Sequence, residues 1–191
     1  MRIYTFPILT IIGCIGLIIY LLIDFKRNQF KNLFHRVLFY SFILYLIVVS
    51  DLTIGAIFIP PQTSNITLQF IPFNFIGDLY SENVRGTWFL LNSIKLYFYN
   101  LILLFPLGVY LGILYQVKRV QKAVIIVLYT SLAIEILQPI LSSFGFIFNR
   151  SFDVDDLILN TLGGGLGFLA WLRISKIKSF KKIRDRILVK N

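Results

Sequence analysis

The chain has 191 residues, 57% of them hydrophobic, with a mean hydropathy of +0.79 and a formal net charge of +10. A soluble domain holds roughly 45–50% apolar residues, so this composition argues against an ordinary soluble protein. It also argues against a nucleic-acid partner, because the basic residues flank apolar runs and lack aromatic stacking platforms. The single cysteine, Cys14, excludes an intrachain disulfide.

Apolar runs of about 20 residues recur along the chain, and each can cross a hydrocarbon core of roughly 30 Å. They predict an all-α fold, a polytopic membrane helix bundle with about five transmembrane helices. The spans are predicted at about 5–23, 37–59, 94–115, 123–141 and 156–174. We divide the chain into two N-terminal helices over 1–60, a membrane region with an outward loop and three helices over 61–174, and a basic tail over 175–191.

Three features interrupt this apolar pattern. The 60–93 connection mixes aromatic and charged residues, which predicts a segment that lies in the headgroup layer or dips back into the protein. Pro106 is expected to kink the third span. Asp51, inside the second span, is expected to reach the membrane interface or a neighbouring helix.

The distribution of basic residues predicts the orientation. The 24–36 loop holds four Lys or Arg residues, the 117–122 turn three and the 173–191 segment eight, whereas the opposite side holds four. By the positive-inside rule the C-terminal tail is cytoplasmic and the N-terminus is outside.

The last span carries a polar face. Asp153, Asp156, Asn160, Gly164 and Gly167 follow at steps of three and four, so they line one side of a helix. Polar groups at the start of that face and glycines further along predict a helix that packs tightly and holds a polar site near one membrane surface.

Polar residues of two other spans fall at a similar depth. At 1.5 Å rise per residue, Asn100, Glu135 and Asn160 lie roughly 6–9 Å below the outer ends of three predicted helices. Because an isolated polar group facing lipid is costly, we expect the three helices to converge on one outward-opening pocket, whose mouth carries Arg150, Asp153, Asp155 and Asp156. The candidate ligand-binding residues are Asn100, Ser131, Glu135, Gln138, Arg150, Asp153, Asp156 and Asn160.

A purely structural role for the same residues stays open. The amides and Glu135 would then fix helix register by bonding to each other. Asp153 or Asp156 would cap the last helix, since a carboxylate satisfies the free N–H groups at a helix start. Arg150 would neutralise a neighbouring carboxylate.

Three motifs occur in order along the chain: Asn100 followed by Phe105-Pro106-Leu107-Gly108, then Ser131 to Gln138, then the run from Arg150 through Asp153, Asp156 and Asn160 to Gly163-Gly164 and Gly167. With Ile71-Pro72-Phe73-Asn74, this ordered set resembles the VanZ-like family over about residues 70–170. The resemblance implies a small multi-pass protein of the bacterial cytoplasmic membrane. The family is named for a protein that lowers sensitivity to teicoplanin, a glycopeptide antibiotic with an acyl chain. The resemblance therefore also suggests a role in lipoglycopeptide resistance or envelope physiology, but it names no substrate.

Three functions are compatible with these observations. The first is a binding protein whose partners are membrane lipids, a lipoglycopeptide or a lipid-linked wall precursor, with no cofactor and no metal. The second is a membrane enzyme that modifies a lipid headgroup or wall precursor, with Glu135, Asp153 and Asp156 as acid, base or metal ligands. The only histidine, His35, lies in a cytoplasmic loop, which argues against triad chemistry. The third is a transporter or structural partner.

Overall fold

Apolar helices make up most of the chain in the computed structural model, which describes residues 4–27, 33–63, 66–147 and 149–177. The helices within these ranges are α1 (Ile8–Arg27), α2 (Leu33–Ile54), α3 (Asn74–Arg85), α4 (Thr87–Leu103), α5 (Phe105–Ile113), α6 (Val120–Ser143) and α7 (Val154–Ile174). This element order confirms the predicted all-α bundle.

Among the described residues, four stretches are long and apolar enough to cross a membrane: Phe34–Ile54, Thr87–Ile113, Val120–Ser143 and Val154–Ile174. Helix α1 is apolar over a shorter stretch, Leu9–Asp24.

Two span boundaries differ from the prediction. The second span ends at Ile54 rather than at 59, because Gly55 adopts a φ of 70° and turns the chain out of α2. The third span begins at Thr87 rather than at 94, so Trp88 and its apolar neighbours belong to α4. Asn100 therefore lies roughly 20 Å along α4, and not about 9 Å as expected from the later start.

Helices α4 and α5 are two halves of one span that separate at Leu104. Pro106 lies in the first turn of α5, and it has no N–H to donate to the carbonyl of Ile102 in the preceding turn. The predicted kink at Pro106 is confirmed.

Helix α7 packs against α4, α5 and α6 at the centre of the bundle. Its glycines permit very close backbone contact: a Cβ at Gly163 would overlap the carbonyl oxygen of Leu101, and one at Gly167 that of Phe105. The adjoining apolar core consists of Phe42, Leu104, Leu107, Leu111, Ala123, Val127 and Phe168.

Two pairs of very short strands join distant parts of the chain. Strand β1 (Tyr4–Phe6) pairs antiparallel with β2 (Ile57–Ile59). Strand β3 (Leu68–Gln69) pairs parallel with β4 (Phe152–Asp153), immediately before α7. The 60–93 connection is thereby anchored at the N-terminal end of α7.

Strand β2 and the start of the same connection are also bonded to the loop after α6. The N–H of Phe58 donates to the carbonyl of Phe146, and the N–H of Gln62 to that of Gly145, both at 2.9 Å. A Cβ at Gly145 would overlap the backbone of Gln62, which explains the glycine and its φ of 73°.

Two further predictions concern Asp51 and the basic tail. Asp51 accepts a hydrogen bond from the hydroxyl of Thr10 on α1 at 2.6 Å, so the carboxylate reaches a neighbouring helix as expected. Most of the predicted basic tail, residues 178–191, lies outside the described residues.

Candidate functional site

A cavity of about 610 Å³ lies between α2, α4, α6 and α7, at the end of the bundle that carries β3 and β4. Its wall combines apolar side chains such as Val48, Leu52 and Ile102 with a group of polar ones. Six of the eight candidate residues line it: Asn100, Glu135, Gln138, Arg150, Asp156 and Asn160. The structure thus places polar residues from α4, α6 and α7 around one space.

The closest polar contact in the wall joins α4 to α7. The side-chain amide of Asn100 donates a hydrogen bond to the carboxylate of Asp156. Because both residues lie inside candidate membrane spans, this bond satisfies groups that lipid could not.

Glu135 projects from the middle of α6 and is only 2% exposed. Its Oε2 accepts the backbone N–H of Asp153 at 3.3 Å, which links α6 to the start of α7. Pro139, one turn further along α6, lacks the N–H that would otherwise bond the carbonyl of Glu135. The helix thus has a local irregularity beside the cavity.

Gln138 and Arg150 bond to the C-terminal end of α2. The Gln138 amide donates to the carbonyl of Thr53 at 2.8 Å, and Arg150 Nη2 lies 3.4 Å from the carbonyl of Leu52. The last four carbonyls of a helix lack intrahelical donors, and a cation there meets the negative end of the helix dipole. Both residues therefore have a structural role in addition to lining the cavity.

Arg150 forms no close ion pair with a neighbour, although its charge acts on the nearby carboxyl groups of Glu135 and Asp156. Among the described residues, no carboxylate oxygen lies within 4 Å of its guanidinium nitrogens. Its side chain lines the cavity and remains exposed.

Asp153 and Ser131 are the two candidates that do not line the cavity. Asp153 is the N-cap of α7, where its Oδ1 accepts the N–H of Asp155 at 2.8 Å. Burial raises the pKa of the Asp153 carboxyl above its ordinary value of 3.8. Ser131 is fully buried, one turn before Glu135 on α6, and its hydroxyl has no hydrogen-bond partner among the described residues.

Asp155 does not lie open at the mouth of the pocket as expected. It is 2% exposed, and its carboxylate accepts the backbone N–H of Phe73 at 2.6 Å and that of Phe75 at 2.8 Å. Phe73 has a φ of 63°, and the carboxylate holds this unusual backbone at the start of α3. Helical spacing leaves Asp155 off the face that Asp153 and Asp156 share, but spacing alone does not show that its carboxylate meets a loop.

Asn160 is the most buried polar group of the cavity wall, with 1% of its surface exposed. Its Oδ1 has no hydrogen-bond donor among the described residues. Since buried polar atoms nearly always have a partner, this oxygen marks a position where a ligand or a water would bind.

The sequence model of the VanZ/LLP1 family matches residues 37–176. The chain belongs to the VanZ/LLP1 family. No curated protein and no solved structure gives a significant match to it. With four described helices able to span a bilayer, this VanZ/LLP1 chain is a membrane protein.

The VanZ/LLP1 match extends further than the motifs that suggested it. It begins within α2, whereas the motif resemblance started at about residue 70. The additional segment contributes the Val48 and Leu52 side chains to the cavity, and the Leu52 and Thr53 carbonyls to Arg150 and Gln138. Sequence reasoning predicted α2 as a membrane span but missed its place in the cavity wall, because its lining residues are ordinary apolar ones.

The ionisable groups of this VanZ/LLP1 cavity decide what chemistry its wall can offer. Within the part of the chain that the structure describes, no three His, Cys, Asp or Glu residues are arranged to hold a metal ion. The carboxyl groups of Glu135 and Asp156 are the ionisable acids in its wall. Such groups can accept hydrogen bonds or transfer a proton to a bound molecule.

Proposed function

We propose that this VanZ/LLP1 protein binds an envelope amphiphile in the cavity and thereby lowers susceptibility to lipoglycopeptide antibiotics such as teicoplanin. The polar head would contact Asn100, Glu135, Asp156 and Asn160, and the acyl chain would lie along the apolar wall. The observation that carries the proposal is one cavity with a buried polar end and lipid-accessible apolar sides.

The apolar sides support entry from the membrane. Leu52 on α2 is 60% exposed and Leu96 on α4 is 63% exposed, yet both line the cavity. Within a bilayer, exposed side chains of a spanning helix contact lipid, so the cavity wall continues into the lipid-facing surface. An acyl chain would then pass between α2 and α4 without leaving an apolar environment.

The polar end supports retention of a headgroup. A cavity of 300–1,000 Å³ that combines apolar walls with a few convergent polar groups is typical of small-molecule sites, and this one has about 610 Å³. Glu135 and Asn160 are nearly completely buried, so a ligand that bonds to them would displace little bulk water. Intramembrane ionisable residues are more often functional than surface ones.

The distribution of basic residues supports a site in the outer leaflet of the bacterial cytoplasmic membrane. Lys118 and Arg119 lie in the turn between α5 and α6, and Lys122 lies in the first turn of α6, at the opposite end of that helix from the cavity. The positive-inside rule assigns such a basic end to the cytoplasm, which supports a cytoplasmic C-terminus and a cavity near the exterior.

Antibiotic susceptibility of a sensitive host expressing the protein tests this proposal. The wild type should raise the minimal inhibitory concentration of teicoplanin several-fold and that of vancomycin, its relative without the acyl chain, far less. Glu135→Gln, Asp156→Asn and Asn160→Ala should each abolish the difference while the protein remains inserted in the membrane.

A matched control is Glu82→Gln on α3, which changes a carboxylate outside the cavity wall. This variant should behave as the wild type. Full activity of all three cavity variants would refute the proposed site, and equal protection against both antibiotics would refute a role for the acyl chain.

A membrane enzyme acting on a lipid headgroup or wall precursor is the second candidate. The facing carboxyl groups of Glu135 and Asp156 favour it, since proton transfer needs such groups at a bound substrate. Asp153, the third acid of that hypothesis, caps α7 instead and does not line the cavity. Turnover of envelope lipids by the purified protein, lost in Glu135→Gln, would favour the enzyme over the binding protein.

A further inference from the structure

We infer that the cavity selects a phosphate-bearing lipid whose headgroup carries hydrogen-bond donors beyond the phosphate, either hydroxyl or ammonium groups. This inference rests on the proposed function, because it specifies the ligand class of the same cavity. It follows from counting which donors and acceptors of the wall already have partners.

The buried end of the cavity presents acceptors. Asn160 Oδ1 has no donor among the described residues. In the same part of the chain, the Glu135 carboxylate accepts only the Asp153 N–H, and that of Asp156 accepts only the Asn100 amide. A carboxyl group has more lone pairs than the single hydrogen bond that each of these two accepts, so each retains capacity for a ligand donor.

Two neighbouring side-chain amides each direct one N–H group to a protein acceptor. Asn100 donates to Asp156, and Gln138 donates to the carbonyl of Thr53. A headgroup that offered only acceptors, such as a bare phosphate, would therefore meet carboxylates at the buried end. The acceptors of the wall and of the headgroup would then both lack donors, which disfavours binding.

Arg150 supplies a position for the phosphate, away from the acceptors at the buried end. Its guanidinium lines the cavity, and no carboxylate of the described residues lies within 4 Å of it. Arg binds phosphate well because its five donors form a planar fork. The phosphate of a lipid would bind at Arg150, and the donor-bearing part of the headgroup would extend toward Glu135, Asp156 and Asn160. The sugar hydroxyls of a lipoglycopeptide are donors of the same kind.

Binding of four lipids with identical acyl chains to the purified full-length protein in detergent tests this inference. Phosphatidylglycerol offers hydroxyl donors and phosphatidylethanolamine offers ammonium donors. Phosphatidylcholine offers a cation without N–H groups, and phosphatidic acid offers the phosphate alone. At least one of the first two should bind roughly tenfold more tightly than either of the last two, and the better of the two identifies the donor.

Two variants keep the test specific. Asn160→Leu should reduce the preference for the donor-bearing lipid, and Arg150→Gln should weaken the binding of all four lipids to a similar extent. Equal binding of the four lipids would overturn the donor requirement while leaving amphiphile binding intact. Absence of binding by any lipid and by teicoplanin would instead overturn the proposed function.

An independent observation concerns α3, which we propose lies in the plane of the membrane surface. The helix has three faces. One face is partly buried and consists of Phe75, Leu79 and Glu82, and a second face is polar and consists of Asp78, Ser81 and Arg85. The third face is an exposed apolar stripe at steps of four, formed by Ile76, Tyr80 and Val84. The occupant of that stripe is the headgroup and acyl-chain boundary of the bilayer. The stripe continues into the exposed Trp88 and Leu91, which lie in the membrane-spanning stretch that begins at Thr87.

The attachment of α3 fixes this position. Asp155 holds the backbone at its first turn, and Asp78 accepts a hydrogen bond from the hydroxyl of Tyr97 on α4 at 3.1 Å. Phe75 also packs on Tyr97, with ring centroids 5.4 Å apart. The apolar stripe therefore cannot rotate inward to become buried.

An environment-sensitive fluorophore on single cysteines in a Cys14→Ser background tests this position in lipid vesicles. The label on Tyr80→Cys should emit at shorter wavelength than the label on Ser81→Cys, its exposed neighbour on the polar face. Spin-labelled lipids should quench position 80 several-fold more strongly. The same emission and quenching at both positions would overturn the proposal.

Discussion

The glycines of α7 lead to a graded prediction. Gly163→Ala places a methyl group against the Leu101 carbonyl oxygen of α4, and Gly167→Ala places one against that of Phe105. Gly165→Ala is the matched control on the same helix, since its nearest neighbour is a Val124 methyl at an ordinary 3.5 Å.

The magnitudes follow from two opposing effects. Alanine stabilises a helix interior by about 1 kcal/mol relative to glycine. Overpacking costs typically about 1–3 kcal/mol, and the upper end applies where the obstacle is backbone that moves only with its whole helix. Gly163→Ala should thus lose about 2 kcal/mol net, and Gly165→Ala should gain about 1 kcal/mol.

Thermal denaturation in detergent, followed by the recovery of monodisperse protein, measures the difference. A separation of about 3 kcal/mol between the two variants corresponds to a difference in Tm on the order of 10 °C for a chain of this size. The central packing of α7 would be refuted if Gly163→Ala and Gly167→Ala melted at or above the Tm of Gly165→Ala.

Three further predictions concern polar groups around the cavity. Asp155→Ala should lower the free energy of unfolding by about 3 kcal/mol, because two backbone N–H groups lose a charged acceptor, and a Tm measurement checks this. Gln138→Met should cost about 1–2 kcal/mol in the same assay, because the Thr53 carbonyl at the end of α2 loses its donor. Asp153→Asn keeps the N-cap oxygen and removes the buried charge, so its stability relative to wild type should increase as pH rises.

The sign of the last effect follows from proton linkage. The folded-state pKa of Asp153 is raised, so the folded protein binds the proton more tightly than the unfolded chain does. Its contribution to stability is complete below the ordinary pKa of 3.8 and is lost as pH rises through the folded value. Parallel Tm curves for wild type and Asp153→Asn from acidic to neutral pH would contradict this effect.

Asp155→Asn should retain part of the stability lost in Asp155→Ala, and equal losses would contradict the assigned acceptor role.

The arrangement of α7 could be predicted from sequence because two signals coincide on one helical face. Asp156, Asn160 and Gly164 recur at helical spacing, so both the polar layer and the tight packing follow from periodicity. The break before Pro106 was likewise predictable, because the missing N–H is a property of the residue itself.

Other features depend on partners distant in sequence. Gln138 has helical spacing from Glu135 and therefore shares its predicted role, yet its amide bonds to the end of α2. The early start of α4 was missed because aromatic residues such as Trp88 suit either an interfacial segment or a helix. Whether the convergent residues bind a ligand stays a prediction from sequence and geometry together.

The two connections at the cavity end are joined by strand pairing between β3 and β4 and by the backbone bonds of Phe58 and Gln62. Residues from two stretches about 80 positions apart therefore form one surface, as the contact between Thr67 and Ser151 illustrates. An antibody selected against the folded protein on this face would recognise a discontinuous epitope, and linear peptides from either connection would compete poorly for it. Such an antibody would report on the native state, because unfolding separates the two halves of what it binds.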